Sequence, residues 1–199
     1  MDAEERFDRA YYQRFYDDPK TQVISYEEHS RLVSYVFSFA EYNDLRIRSV
    51  LDVGAGIGLW RRWLTENAPK VKYTGTEVSS TMCREHGYEQ RDISRWRSRN
   101  TYDLVVCQGV LQYISDADLA PALDNLAQMA SGLVYIEAMT RSDLRERCDL
   151  SRSDTNVVVR NGSYYRKAFN KHFIAVGAGL HWPRSIPLPF WELDVAGMR

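Results

Sequence analysis

Ser49-Val50-Leu51-Asp52-Val53-Gly54-Ala55-Gly56-Ile57-Gly58-Leu59 decides how the chain is read. A short, mostly apolar run stops at glycines. Apolar residues then resume at helical spacing, with Leu59, Trp60, Trp63 and Leu64 on one face until Pro69. This is a strand, a tight turn and an amphipathic helix in succession. Glycines at 54 and 56 let the backbone pass close to a ligand where a side chain would collide.

The alternation continues downstream. Val71 to Thr76 reads as a second strand; Ser79 or Ser80 caps the next helix and Gly87 closes it. Tyr88 to Arg91 is a weak third strand and Tyr102 to Cys107 a strong fourth. Ser115-Asp116-Ala117-Asp118 is a capping pattern before a helix carrying Leu119, Leu123, Leu126 and Met129. Leu133 to Ile136 is a fifth strand. Arg141 to Asn161 is polar and irregular, a long loop, followed by a helix around Tyr164 to His172. Phe173 to Val176 and Phe190 to Val195 read as two final strands, with the turn-rich Pro183 to Pro189 between them. Apolar strands each followed by a helix imply a parallel sheet covered on both faces.

Upstream, residues from about Asp2 to Tyr42 are helical in flavour. Phe7, Ala10, Tyr11 and Phe15 share one face, Asp17-Asp18-Pro19 breaks the run, and a second helix is expected from Tyr26 through Phe39. Its expected buried face is Leu32, Tyr35, Val36 and Phe39. At 199 residues the chain is expected to form a single domain. It divides into a helical prelude or lid over 1–45, a ligand-binding core over 46–140, and a loop, helix and final strands over 141–199.

Spacing discriminates between ligands. A dinucleotide turn of the form G-x-G-x-x-G would need glycine at position 59, which is Leu59; the third glycine comes one residue early, and Asp52 precedes the loop. Val50 through Leu59 resembles motif I of class I S-adenosylmethionine-dependent methyltransferases. The resemblance extends over roughly Val50 to Met139, with Tyr164 to Asp194 fitting the expected final helix and strand pair. It implies an α/β, Rossmann-like fold: a central, mostly parallel seven-stranded sheet with an antiparallel last strand, helices on both faces and an N-terminal helical lid.

The resemblance also implies a site for S-adenosylmethionine, with S-adenosylhomocysteine as product. Gly54, Ala55 and Gly56 would wrap its amino-acid end, and Asp52 would help position the positive charge, where a phosphate would be repelled. Glu77 and Val78 follow strand two, and a carboxylate there can accept both ribose hydroxyls. Asp92 would take the adenine amino group and Ile93 would face the ring, although Asp92 also reads as a cap for the turn Ile93-Ser94-Arg95-Trp96. Gln108, at the end of strand four, would line the methionine moiety, and Tyr12 (or Tyr11) would close over the cofactor from the lid.

No residue declares itself as a base. The leaving group of a sulfonium is already activated, so alignment does much of the work. His29 could face the mouth from the lid, His86 and His172 sit near helix ends, and His181 ends a late strand; structural roles are expected to outweigh catalytic ones. Gln112 and Tyr113 could face the acceptor or pack the next helix. Tyr11, Tyr12, Phe15 and Tyr16 serve equally as core packing or as a lid.

Bulk properties bound the rest. A net charge of −1 with 44% hydrophobic and 27% charged residues recruits neither nucleic acid nor an anionic membrane. Arg91, Arg95, Arg97 and Arg99 around Trp96 could contact phosphates but more often form a solvated face. Arg141, Arg145, Arg147 and Arg152 could recognise an anionic small substrate. Cys83, Cys107 and Cys148 lack disulfide or zinc spacing, and the charged N-terminus has no apolar stretch behind it, so a reduced, cytoplasmic protein without metal or membrane contact is expected.

The leading expectation is methyl transfer to an O or N of a small-molecule acceptor. Cys107-Gln108-Gly109-Val110 departs from the Asn/Asp-Pro-Pro-aromatic string of enzymes that methylate amide or base nitrogens. A nucleic-acid methyltransferase, a nicotinamide oxidoreductase and a non-catalytic cofactor-binding subunit are the alternatives.

Overall fold

The computed structural model describes residues 6–195. Its β-strands, β1 (Ser49–Val53), β2 (Lys72–Glu77), β3 (Glu89–Gln90), β4 (Tyr102–Gln108), β5 (Ala130–Glu137), β6 (Phe173–Gly177) and β7 (Leu180–Pro183), form a seven-stranded sheet in the order β3-β2-β1-β4-β5-β7-β6. The first five strands run parallel, and β7 is antiparallel to both neighbours. This is the expected fold. Strand order reverses between β1 and β4, and in such sheets the crevice at that switch point collects ligands.

Period-two alternation splits the core. Leu51, Val53, Val105, Cys107, Val134 and Ile136 face one layer, which includes α5 (Asp116–Met129) and α7 (Gly162–Phe169). Val50, Leu104, Val106, Leu133 and Tyr135 face the other, which includes α2 (Tyr26–Tyr42) and α3 (Leu59–Asn67). With both faces covered, the central strands are apolar almost throughout. Local signals set the helix ends. Ser79 caps α4 (Ser80–His86), and Gly87 closes it with a left-handed φ of 70°.

Four expectations are corrected. The first prelude helix is shorter than expected and its buried face differs: α1 (Arg9–Tyr12), capped by Asp8, passes into a π-helical turn over Gln13–Asp17, and Ala10 is exposed; residues 1–5 lie outside the described residues. Tyr12 and Phe15 are the buried residues of this segment. In α2 the buried stripe is His29, Val33, Val36 and Ala40, and Tyr35 is exposed. The stripe is rotated because His29, a polar residue that hydropathy sends outward, has a hydrogen-bonding partner inside. The span from Arg141 to Asn161 contains α6 (Arg141–Glu146), started by a capping box between Thr140 and Asp143. Finally, the last strand is Leu180–Pro183, because Gly177-Ala178-Gly179 reverses the chain directly onto β6. Phe190 and Val195 are buried but anchor a short 3-10 turn, with Trp191 and Leu193 exposed.

Candidate active site

The carboxyl ends of β1, β2, β4 and β5 open into one cavity of about 1050 Å³. All ten residues expected at a cofactor line it: Tyr12, Asp52, Gly54, Ala55, Gly56, Glu77, Val78, Asp92, Ile93 and Gln108. The glycine loop is tied to β2 through Gly54 N and Ala55 N, which both donate to the Thr76 carbonyl at 2.9 and 3.0 Å. Gly56 N donates instead to Glu77 Oε2 at 3.0 Å.

Glu77 is the hub. Its Oε1 accepts from Val78 N at 2.7 Å and Ser79 N at 3.2 Å, so three backbone donors fix a carboxylate that is 4% exposed. A carboxylate has about four acceptor directions, so one remains for a ligand hydroxyl while these three bonds persist. The Tyr12 ring packs over the loop, and a Cβ at Gly56 would sit 3.4 Å from Tyr12 Cε1. Burial first, and then the charge of Glu77, push the Tyr12 hydroxyl far above its ordinary value, so it stays a neutral donor.

Asp52 lies deeper than the sequence suggests. It is 2% exposed and accepts from Tyr73 Oη at 2.8 Å. Burial, reinforced by the charge of Glu77, pushes its carboxyl up to about 7 against the lowering effect of the Tyr73 bond. Ionising it in the folded chain therefore costs stability. The cost is absent below the unfolded value near pH 4, grows as pH rises towards 7 and is constant above. Asp52→Asn keeps an acceptor for Tyr73 and removes the ionisation. We expect its urea midpoint to gain over wild type at pH 8, on the order of 2 kcal/mol more than at pH 5; equal gains at both would show that Asp52 ionises freely.

Asp92 caps the following turn, its Oδ1 accepting from Ser94 N and Ser94 Oγ at 2.9 and 2.7 Å, and the residue also lines the cavity. Ile93 is a core residue, 4% exposed, that also reaches the cavity.

Of the histidines, only His29 lines the cavity among the described residues. His86 stacks on Tyr88, His172 lies 3.8 Å from Asp124, and His181 sits between Phe169 and Phe173 with Nδ1 on the Gly179 carbonyl. Gln112 and Tyr113 both line the cavity, and the Tyr113 hydroxyl meets that of Tyr11 at 2.8 Å. The arginine runs are largely engaged elsewhere. Arg91 pairs with Glu89, Arg97 with Gln128, Arg141 with Asn161 and Arg145 with Glu146, while Arg152 bonds the Gln22 carbonyl.

Sequence reasoning missed Glu137. It lies at the end of β5, in register with Gln108 and exposed to the cavity. The available signal was that an acid directly ends an apolar parallel strand, the position where sites of this topology form. Among the described residues no group of three or more His, Cys, Asp or Glu is placed to hold a metal ion. Nor is any described helix long and apolar enough to cross a membrane.

The family model for a methyltransferase domain matches residues 51–131. That match covers under half of the chain, over a domain whose sheet order is of the Rossmann-like type. That domain is similar in fold to an S-adenosylmethionine-dependent methyltransferase from Clostridium acetobutylicum, with 20% identity and a TM-score of 0.52 over 71% of this chain and 60% of that one. It is similar to the N-methyltransferase NodS from Bradyrhizobium japonicum in complex with S-adenosyl-l-homocysteine, with 13% identity and a TM-score of 0.63 over 92% and 100%. It is similar as well to magnesium protoporphyrin IX methyltransferase from Synechocystis with bound S-adenosylmethionine, with 16% identity and a TM-score of 0.57 over 90% and 91%. The chain thus spans less than two thirds of the Clostridium protein's length and all of NodS. At these identities the likeness is one of fold. No curated protein matches the chain.

Proposed function

We infer that the chain is an S-adenosylmethionine-dependent enzyme transferring a methyl group to an O or N of a small-molecule acceptor by in-line displacement. The observation that carries this reading is the convergence, in one cavity, of the glycine loop, Glu77 and Asp92 at the ends of β1, β2 and β3. In this reading Gly54, Ala55 and Gly56 give the amino-acid end its backbone groups, with Asp52 beneath them. Glu77 and Val78 take the ribose, Asp92 and Ile93 the adenine, Gln108 the methionine chain, and Tyr12 closes the lid. The bound cofactor supplies an electrophilic methyl on an already activated leaving group; the protein's part is alignment and exclusion of water.

A small acceptor is supported by the tyrosines of the lid that line the cavity, and Arg91 and Arg97 of the run around Trp96 are engaged with Glu89 and Gln128. Residues 1–45 act as the lid, 46–140 as the cofactor half and 141–199 as the far wall, in a protein we place in the cytoplasm. The test is thermal unfolding with S-adenosylhomocysteine. Saturating ligand at about 100 times Kd contributes about 2.7 kcal/mol to the fold and raises Tm accordingly. Glu77→Ala removes most of that shift, whereas a shift equal to wild type would exclude Glu77 from the ligand.

A further inference from the structure

Beyond the cofactor half, the cavity has an acceptor end with a definite polarity. Trp60 Nε1, which can only donate, gives its hydrogen bond to Gln108 Oε1 at 2.9 Å. That bond fixes which end of the Gln108 amide is oxygen. His29 Nε2 lies 3.2 Å from the same oxygen and must therefore carry a proton. The amide nitrogen of Gln108 turns the other way, to Glu137 Oε2 at 3.4 Å, where Tyr135 Oη also donates at 2.8 Å. Glu137 is held at the cavity wall by two neutral donors and has no ion-pair partner among the described residues.

The buried polar atoms left without a partner here are acceptors too. His29 Nδ1, a bare lone pair in the tautomer just derived, and Gln112 Oε1 are both unpartnered. Their residues are 2% and 7% exposed and line this same cavity. Both atoms lack accessible surface of their own, so they give the wall behind the cavity an acceptor character without themselves contacting a ligand. Seven acidic side chains line the cavity against three arginines; Asp92 is paired with Arg95 and Asp154 with Arg6, and burial disfavours ionisation of Asp52, which leaves Glu137 as a carboxylate without an ion pair beside His29 and Gln112. Aromatic faces of Tyr11, Tyr16 and Tyr113 enclose the space between. Tyr16 lines the cavity with its ring against those of Tyr11 and Tyr12.

We propose that the acceptor is an organic amine with an apolar body, and that Glu137 receives its nitrogen. This rests on the methyltransferase reading and narrows it. A cavity-facing carboxylate without an ion pair and the tyrosine rings around it together complement a cationic group carrying N–H donors. An alcohol would satisfy one acceptor, and an anion would be repelled. The carboxylate also gives the chemistry an outlet. An ammonium has no free lone pair, so one proton would pass from its nitrogen to a Glu137 oxygen, leaving the N–H electron pair on nitrogen; that pair would form the new N–C bond as the methyl's S–C bond breaks, the S–C pair staying on sulfur in the neutral thioether product. Gln108 is a positioning residue for Glu137, and His29 and Trp60 set the amide of Gln108.

The experiment is calorimetry on the protein saturated with S-adenosylhomocysteine, using three probes of one skeleton: phenethylamine, 2-phenylethanol and 3-phenylpropionate. Phenethylamine is expected to bind roughly tenfold tighter than the alcohol, with the acid weakest. Glu137→Gln, an exposed and nearly isosteric change, should reduce the amine to the alcohol's level while leaving S-adenosylhomocysteine affinity as in wild type. The proposal is overturned by failure of the amine to bind, by equal or tighter binding of the alcohol or the acid, or by a preference that survives in Glu137→Gln. Failure of S-adenosylhomocysteine itself to bind would instead remove the underlying methyltransferase reading, and the proposal with it.

Discussion

Replacing Arg160 with methionine is expected to destabilise the fold by about 3–5 kcal/mol, the cost of leaving buried carbonyls unpaired beside an emptied guanidinium site. Arg160 is 5% exposed. Its Nη1 donates to the Leu111 carbonyl at 2.9 Å and the Tyr165 hydroxyl at 3.2 Å, Nη2 to the Ile114 carbonyl at 2.5 Å, and Nε to Asp116 Oδ1 at 2.7 Å. One side chain thus joins the turn after β4, the cap region of α5 and the face of α7. Its carbonyl also accepts from Arg141 N at 2.8 Å, holding the start of α6. The Asp116 pair itself contributes little, because that carboxylate is 67% exposed and screened. Asp116→Asn should therefore cost under about 1 kcal/mol. Urea unfolding of the two variants separates the effects; a loss below 1 kcal/mol for Arg160→Met would show that water replaces the guanidinium without penalty.

Gly54→Ala should cost the fold about 2–5 kcal/mol, combining a left-handed backbone with overpacking, and abolish cofactor binding. Gly54 has φ of 73°, and a Cβ there runs into the side chain of Val110, which is β-branched and stiff at χ1. Yielding by Val110 would drag the turn that carries Gln112 and Tyr113 at the cavity wall. Gly87→Ala supplies the control. Its φ of 70° is similar, but no atom lies within 4 Å of the added methyl. Only the backbone term, roughly 1–2 kcal/mol, should remain there. Equal losses at the two positions would show that the Val110 contact does not matter.

The sequence made the strand-turn-helix units legible because their hydrophobic period is local and their ends carry glycine, serine and proline. Asp52, Glu77 and Asp92 could be placed at successive strand ends for the same reason. What it obscured was polarity fixed by distant partners. His29 faces inward where Gln108 and Trp60 meet it from elsewhere in the chain, and hydropathy set the α2 stripe slightly off: Val36 is buried and Leu32 and Phe39 pack on the core, but Tyr35 is exposed. Arg160 read as part of a polar loop, since its four acceptors come from three other segments. Glu137 stood one residue past the apolar strand that was read, and its pairing with Gln108 exists only in the sheet register. The last strand was misplaced because Phe190 and Val195 are apolar anchors, buried without a partner strand, whereas the glycine reversal at 177–179 fixed the true hairpin.

On the proposed function, the glycine loop with Glu77 holds a sulfonium-derived nucleoside rather than a dinucleotide. Parallel calorimetric titrations of the wild-type chain with S-adenosylhomocysteine and with NADH separate the two ligands. Saturable binding of S-adenosylhomocysteine at one site per chain, lost in Gly54→Ala, is expected, with no heat of binding from NADH. Saturable NADH binding together with silence from S-adenosylhomocysteine would contradict it.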